Sequence, residues 1–181
     1  MERTYSAARL SRQGEENKMN IDKLQLWFTL ERTNAAYYDA MSASLDAVNW
    51  AGCSKWMKQA ADDERTHAQR LDDYIVSVNG VPEFSALEEI PELTGDDLPQ
   101  YFMAAMAREK ETTAFITGFA SECIADGDMQ TLAMILNPGE DWPGFVAEQT
   151  KSERDLTDIL LELSRLDKTG WKLVDQELGT K

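Results

Sequence analysis

The chain has one histidine, His67, and it stands three residues after Glu64 within AADDERTHAQRL (residues 60–71). On a helix that spacing places an imidazole and a carboxylate on one face, one turn apart, where both can hold a single metal ion. Ala60, Leu71, Tyr74 and Val78 recur around His67 at steps of three and four, so the pair belongs to an apolar, inward stripe. A structural pair, with His67 donating to a carbonyl and Glu64 reaching solvent, would show the same isolated spacing. The two readings separate on whether other segments also carry metal-capable groups on their apolar stripes.

Three other segments do. Leu24, Phe28, Glu31, Ala35, Tyr38, Ser42 and Leu45 fall at helical steps and predict an amphipathic helix of about seven turns beginning near Ile21. Glu31 lies in the middle of that stripe, and Tyr38 two turns further along the same face, where its hydroxyl can reach a glutamate or a metal-bound oxygen. A third stripe runs through Phe102, Ala105, Glu109, Thr113, Ile116, Ala120 and Cys123. Glu111 competes with Glu109 here, but two turns beyond Glu111 lies Gly118, whereas two turns beyond Glu109 lies Ile116. Glu109 is the expected inward residue. A fourth stripe holds Gln149, Ser152, Leu156, Ile159 and Leu163, adding a buried amide.

These stripes define the elements that must position the groups. The second helix is expected from about Trp50 to Asn79, with Ala51 and Gly52 as a small blemish at its start and Asn79–Gly80 and Pro82 as stop signals. Residues 80–98 show no sustained period and are long for a connection in a compact domain, as a crossover between bundle ends requires. The third helix is expected from near Asp96 to the AspGlyAsp of 126–128. The fourth opens at 129–136, is interrupted by the proline- and glycine-bearing segment 137–144, and resumes at Phe145. WKLVDQEL (171–178) forms a short helix that must dock to persist. The expected fold is all-α: four long helices in up-down-down-up order, a long crossover between helices two and three, and a short fifth C-terminal helix. Residues 1–20 are polar and aperiodic and read as a flexible N-terminal arm, with 21–181 as the single domain.

Around one axis, Glu31, Glu64, His67, Glu109 and Gln149 become interior polar groups. Three carboxylates buried together repel and titrate upward unless cations neutralise them. Oxygen-rich ligands with one imidazole suit iron, manganese or zinc. One histidine leaves Glu31, Glu64 and His67 for one position and Glu64 with Glu109 for a thinly held second, which favours turnover or release over a permanently bound ion.

Composition narrows the partners. With 33 acidic and 18 basic residues the net charge is −15, which repels nucleic acid and anionic membrane. No apolar run approaches the ~20 residues of a membrane span, and the N-terminus lacks the apolar middle of a secretory signal. Cys53 and Cys123 build no disulfide framework. A reducing, cytoplasmic setting is expected.

LERTNAAYY (30–38), DERTHAQRL (63–71), the surroundings of Glu109, and Glu148–Gln149 together resemble ferritin in its non-haem form, over about Ile21 to Leu178. The resemblance implies a ferroxidase centre in which Glu31 and His67 hold one iron, Glu64 bridges, Glu109 holds the second, Gln149 stands nearby and Tyr38 lies behind them. It implies a hollow homo-oligomer of 24 subunits in which Fe(II) is oxidised by dioxygen or peroxide and stored as ferric mineral. Bacterioferritin has a second histidine late in the fourth helix that this chain lacks, and a haem-ligating methionine where this chain has Arg65, so no haem is expected. Lys151 and Ser152 stand where many bacterial non-haem ferritins carry glutamates of a third iron position, with Glu153 the nearest carboxylate; this pattern is closer to the animal heavy chain. Asp126, Asp128, Glu140 and Asp141 are candidates for channel residues. Two other readings are a non-storing dimetal oxidase or peroxidase of rubrerythrin type, which needs more histidine or a cysteine-ligated iron domain, and a non-catalytic acidic helical module, which leaves the buried glutamates unexplained.

Overall fold

The structure is a computed structural model that describes the backbone of residues 2–91, 93–137, 139 and 142–180, with side chains from residue 20 onward. Six helices are present among the described residues: α1 Glu2–Ala47, α2 Ala51–Ser77, α3 Leu98–Asp126, α4 Met129–Leu136, α5 Phe145–Arg165 and α6 Trp171–Thr180. Among the described residues the only β-type pairing is an isolated bridge between Gly139 and Trp142.

Side-chain pairs fix the relative directions. Ser42 bonds Ser54 near the α1–α2 turn, while Glu31 lies beside Glu64 and His67 further along, so α1 and α2 are antiparallel. Trp27 meets Phe119 and Phe145, whereas Tyr38 meets Glu109 and Trp56 meets Phe102. Hence α3 runs with α2 and against α1, and α5 returns against α3. This is the expected up-down-down-up bundle, and the crossover that it demands lies along α1. Gln25 brackets the crossover at Val81 and Glu83, Arg32 reaches the carbonyl of Ser85, and Phe84 packs edge-on to Phe28.

The expected stripe of α1 is buried throughout: Leu24, Phe28, Glu31, Ala35, Tyr38, Ser42 and Leu45. In α3 the inward face is wider than one stripe. Thr112 and Phe119 are buried, while Thr113 and Ala120 are only partly so. The cause is that α3 touches α1 on one flank, where Asn34 donates to Thr112 at 2.9 Å, and α5 on the other, where Thr113 donates to Glu153 at 2.6 Å.

The start of α1 corrects the expectation for residues 1–20. The helical backbone begins at Glu2, not near Ile21. Those residues have no apolar stripe, but they are rich in good helix formers and contain no proline, so intrinsic propensity carries the helix where amphipathic periodicity is absent. Asn20, the first residue with a described side chain, donates to Asp128 at 2.7 Å, and Asp128 also caps α4 at Thr131.

Ala51–Gly52, which looked like a blemish, is where α6 docks. A Cβ on Gly52 would overlap the carbonyl oxygen of Asp175 in α6, and the Asp175 carboxylate accepts from the Cys53 amide at 2.8 Å. Backbone contact this close admits only glycine. Gly52→Ala is expected to displace α6 and to lower the thermal midpoint by roughly 5 °C, a shift to be read by circular dichroism; an unchanged midpoint would show that α6 adds little stability.

Apolar side chains form two clusters. One surrounds Met41, Met57, Phe102, Leu156 and Leu163; the other surrounds Trp27, Leu71, Ile116, Phe119 and Phe145. Between them lies a layer of buried polar residues, and that layer holds the site.

Candidate metal centre

Glu31 comes from the middle of α1, Glu64 and His67 from successive turns of α2, Glu109 from α3 and Gln149 from the first turns of α5. All five are at most 5 % exposed. Glu31, Glu64 and His67 each present a ligand atom within 4.8 Å of the others, with Nδ1 of His67 lying 3.0 Å from the Glu64 carboxylate. This is the trio that the ExxH spacing and the α1 stripe anticipate.

Glu109 stands outside the compact trio but faces Glu64 across a cavity of about 230 Å³, whose lining also includes Tyr38 and His67. The Tyr38 hydroxyl donates to one Glu109 oxygen at 2.5 Å, and the Gln149 amide donates to the other at 2.9 Å. Gln149 therefore contributes by holding Glu109, and the same amide also reaches the carbonyl of Glu109. Toward its mouth the cavity is lined by Asp63, Glu148, Lys151 and Asp155, with Lys151 paired to Asp155 at 2.8 Å. Glu153, the carboxylate nearest the third iron position of many bacterial non-haem ferritins, does not line this cavity; it is engaged by Thr113. Glu140 and Asp141 lie outside the described residues, Asp126 is exposed, and Asp128 is committed to Asn20 and the α4 cap.

Electrostatics show the cost of gathering these groups. Burial pushes the Glu31 carboxyl well above its ordinary value, and the neighbouring Glu64 pushes it further. Burial, then the charge of Glu109, raises Glu64 to about 8. Burial and Glu109 likewise raise the Tyr38 phenol. At neutral pH the metal-free site retains protons that a bound cation would displace. Oε2 of Glu31 is buried with no hydrogen-bond donor, and Glu31 offers a carboxylate oxygen within 4.8 Å of the Glu64 and His67 ligand atoms. An orphaned carboxylate oxygen beside another carboxylate and an imidazole fits a divalent cation.

Two aromatic groups near the site were not anticipated. Trp27, one turn before Glu31, donates its indole N–H to Glu31 Oε1 at 2.5 Å. Trp142, delivered by the break between α4 and α5, lies edge-on to His67 with ring centroids 5.3 Å apart and carries the Arg70 guanidinium on its ring at 4.2 Å. Gly144 makes that delivery possible, since it caps α5 at φ +90° where a Cβ would stand 3.0 Å from the Leu136 carbonyl oxygen. Trp27 had a signal in the sequence, an indole four residues before a buried glutamate; Trp142 had none.

Residues 21–166 match the Ferritin-like domain of the Ferritin family. The chain belongs to the ferritin family. Among curated relatives, a bacterial non-heme ferritin of Escherichia coli O157:H7 is 28% identical over 162 residues, spanning 88% of this chain and 93% of that protein. Another, from Staphylococcus aureus (strain MRSA252), is 26% identical over 146 residues, spanning 80% of this chain and 83% of its own length. These relatives are bacterial non-heme ferritins, in line with a non-haem member of the family. The fold agrees: an open pore ferritin from the archaeon Archaeoglobus fulgidus superposes with a TM-score of 0.82 at 24% identity, over 90% of this chain and 97% of that one. A ferritin of the green alga Ulva pertusa gives the same score and identity over 90% and 84%.

Proposed function

We propose that this ferritin oxidises Fe(II) at a pair of adjacent positions and stores the ferric product inside a shell of 24 subunits. The observation that carries the reading is the buried trio Glu31, Glu64 and His67 with its orphaned carboxylate oxygen, because a divalent cation would meet that oxygen and offset the cost of burying these carboxylates together. Fe(II) is the substrate. Glu31, Glu64 and His67 take one ion, and Glu64 and Glu109 take the second, with Glu64 between the two.

Two ferrous ions held side by side can pass two electrons to one molecule of dioxygen or peroxide, which a lone ion cannot. The protein's part is to hold and exchange charge. Arriving cations displace the proton that Glu64 retains at neutral pH, and it leaves through the acidic mouth at Asp63, Glu148 and Asp155. Tyr38 and Gln149 fix the Glu109 carboxylate so that it meets the second ion without rearranging. Having only two protein carboxylates and no imidazole, that position binds more loosely, which suits release of product to a store. Cys53 and Cys123 are free and buried, in keeping with a reducing cytoplasmic setting, and no described helix is long and apolar enough to cross a membrane.

Aerobic addition of Fe(II), followed by ferric absorbance, is expected to show rapid oxidation by the parent and at least tenfold slower oxidation by His67→Ala. Equal rates would remove the centre from this site. Size-exclusion chromatography is expected to return a particle of 24 chains of 20.4 kDa, whereas a monomer or dimer would exclude mineral storage.

A further inference from the structure

We propose that Trp27 is a positioning residue for the first metal position, its indole N–H holding one oxygen of Glu31 so that only the other meets the cation. The inference rests on the metal-binding reading above and concerns a residue that the reading does not require.

Trp27 is wholly buried in α1, one turn before Glu31. Phe145 lies against its ring at 4.4 Å between centroids, Phe119 stands edge-on at 6.4 Å and Phe115 is tilted at 6.3 Å. Within this cluster the indole places Nε1 on Glu31 Oε1 at 2.5 Å. A phenylalanine would fill such a cluster equally well, without a polar atom needing an acceptor in the core. The N–H is spent entirely on Glu31.

The consequence follows from counting oxygens. Oε1 is engaged by the neutral indole donor, while Oε2 is buried with no donor, and Glu31 offers one carboxylate oxygen within 4.8 Å of the Glu64 and His67 ligand atoms. Glu31 therefore offers a cation one oxygen on a carboxylate whose terminal torsion is already held by the indole. Locking a ligand before the metal arrives reduces the ordering cost of binding, and removing such a partner typically lowers metal affinity about 10–100-fold.

The test is anaerobic titration of Co(II) into the metal-free full chain, read by calorimetry and by the visible absorption of bound Co(II). Trp27→Phe keeps a ring and deletes the donor; it is expected to weaken the tighter Co(II) position about tenfold and to alter the ligand-field band. Placing 3-benzothienylalanine at position 27, where sulfur replaces the N–H in the same shape, is expected to do the same if Trp27→Phe folds poorly. Phe119→Leu loosens the cluster but keeps the donor, and is expected to lower the thermal midpoint while leaving Co(II) affinity unchanged. Parental affinity in both donor-deleted proteins, with Glu64→Ala having lost the site, would overturn the role of Trp27 and leave the metal centre standing. Weakening by Phe119→Leu equal to that by Trp27→Phe would reduce Trp27 to packing and also overturn it. Parental affinity in Glu64→Ala would overturn the centre itself.

Discussion

Glu64→Gln is expected to slow aerobic Fe(II) oxidation on the order of a hundredfold and, in the same protein, to raise the stability of the metal-free state at pH 8. The two effects share a cause. Glu64 belongs to the trio and lines the same cavity as Glu109, so an amide in its place removes the one carboxylate that both proposed metal positions use. That carboxylate is also 3 % exposed and faces the charge of Glu109, so without a cation the fold carries its desolvation and repulsion uncompensated. Glutamine keeps the volume and removes the charge. Stopped-flow oxidation and thermal melts in chelator measure the two effects; a variant that both oxidises iron at the parental rate and melts no higher would show that Glu64 is neither shared nor strained.

The second large effect is an inverted dependence of stability on pH. Glu64 titrates near 4.5 in the unfolded chain and at about 8 in the folded one, and Glu31 is displaced in the same direction. Between those values the folded state holds more protons than the unfolded state, so raising the pH favours unfolding. The contribution is fully present below pH 4.5, declines as pH rises, and is gone above about 8. For Glu64 alone the loss over this range is on the order of 5 kcal/mol. Metal-free protein is therefore expected to melt progressively lower from pH 5.5 to 8, a window above the ordinary carboxylate range. Excess Co(II) or Zn(II) is expected to reverse the slope, because the cation displaces these protons and binds more tightly as pH rises. A metal-free melting curve that is flat or rises over this window would show that Glu31 and Glu64 do not share a dry site.

Much of this was legible in the chain because one physical rule governs both helix formation and burial. A residue that repeats with period 3.6 among apolar neighbours faces inward. On that rule Glu31, Glu64, His67, Glu109 and Gln149 were assigned inward positions, Glu111 was rejected, and the nineteen-residue segment after Asn79 was read as a crossover. The structure places all five groups inside, leaves Glu111 exposed and runs the crossover along α1. The rule is silent where periodicity is absent, which is why the helix at residues 2–20 was read as an arm.

What periodicity cannot give is the distance between elements. It sets which face a side chain occupies, whereas contact across a bundle depends on helix offset and rotation, which packing of the whole core decides. Only the tertiary structure shows that Glu109 is claimed by Tyr38 and Gln149, that Oε2 of Glu31 is left without a donor, and that Trp27 has taken the other oxygen. It alone shows why residue 52 is glycine, since the carbonyl of Asp175 that excludes a side chain arrives from the far end of the chain. Composition and spacing determined which groups would be brought inside; the fit of helix against helix decided which of their atoms remain free to bind a cation.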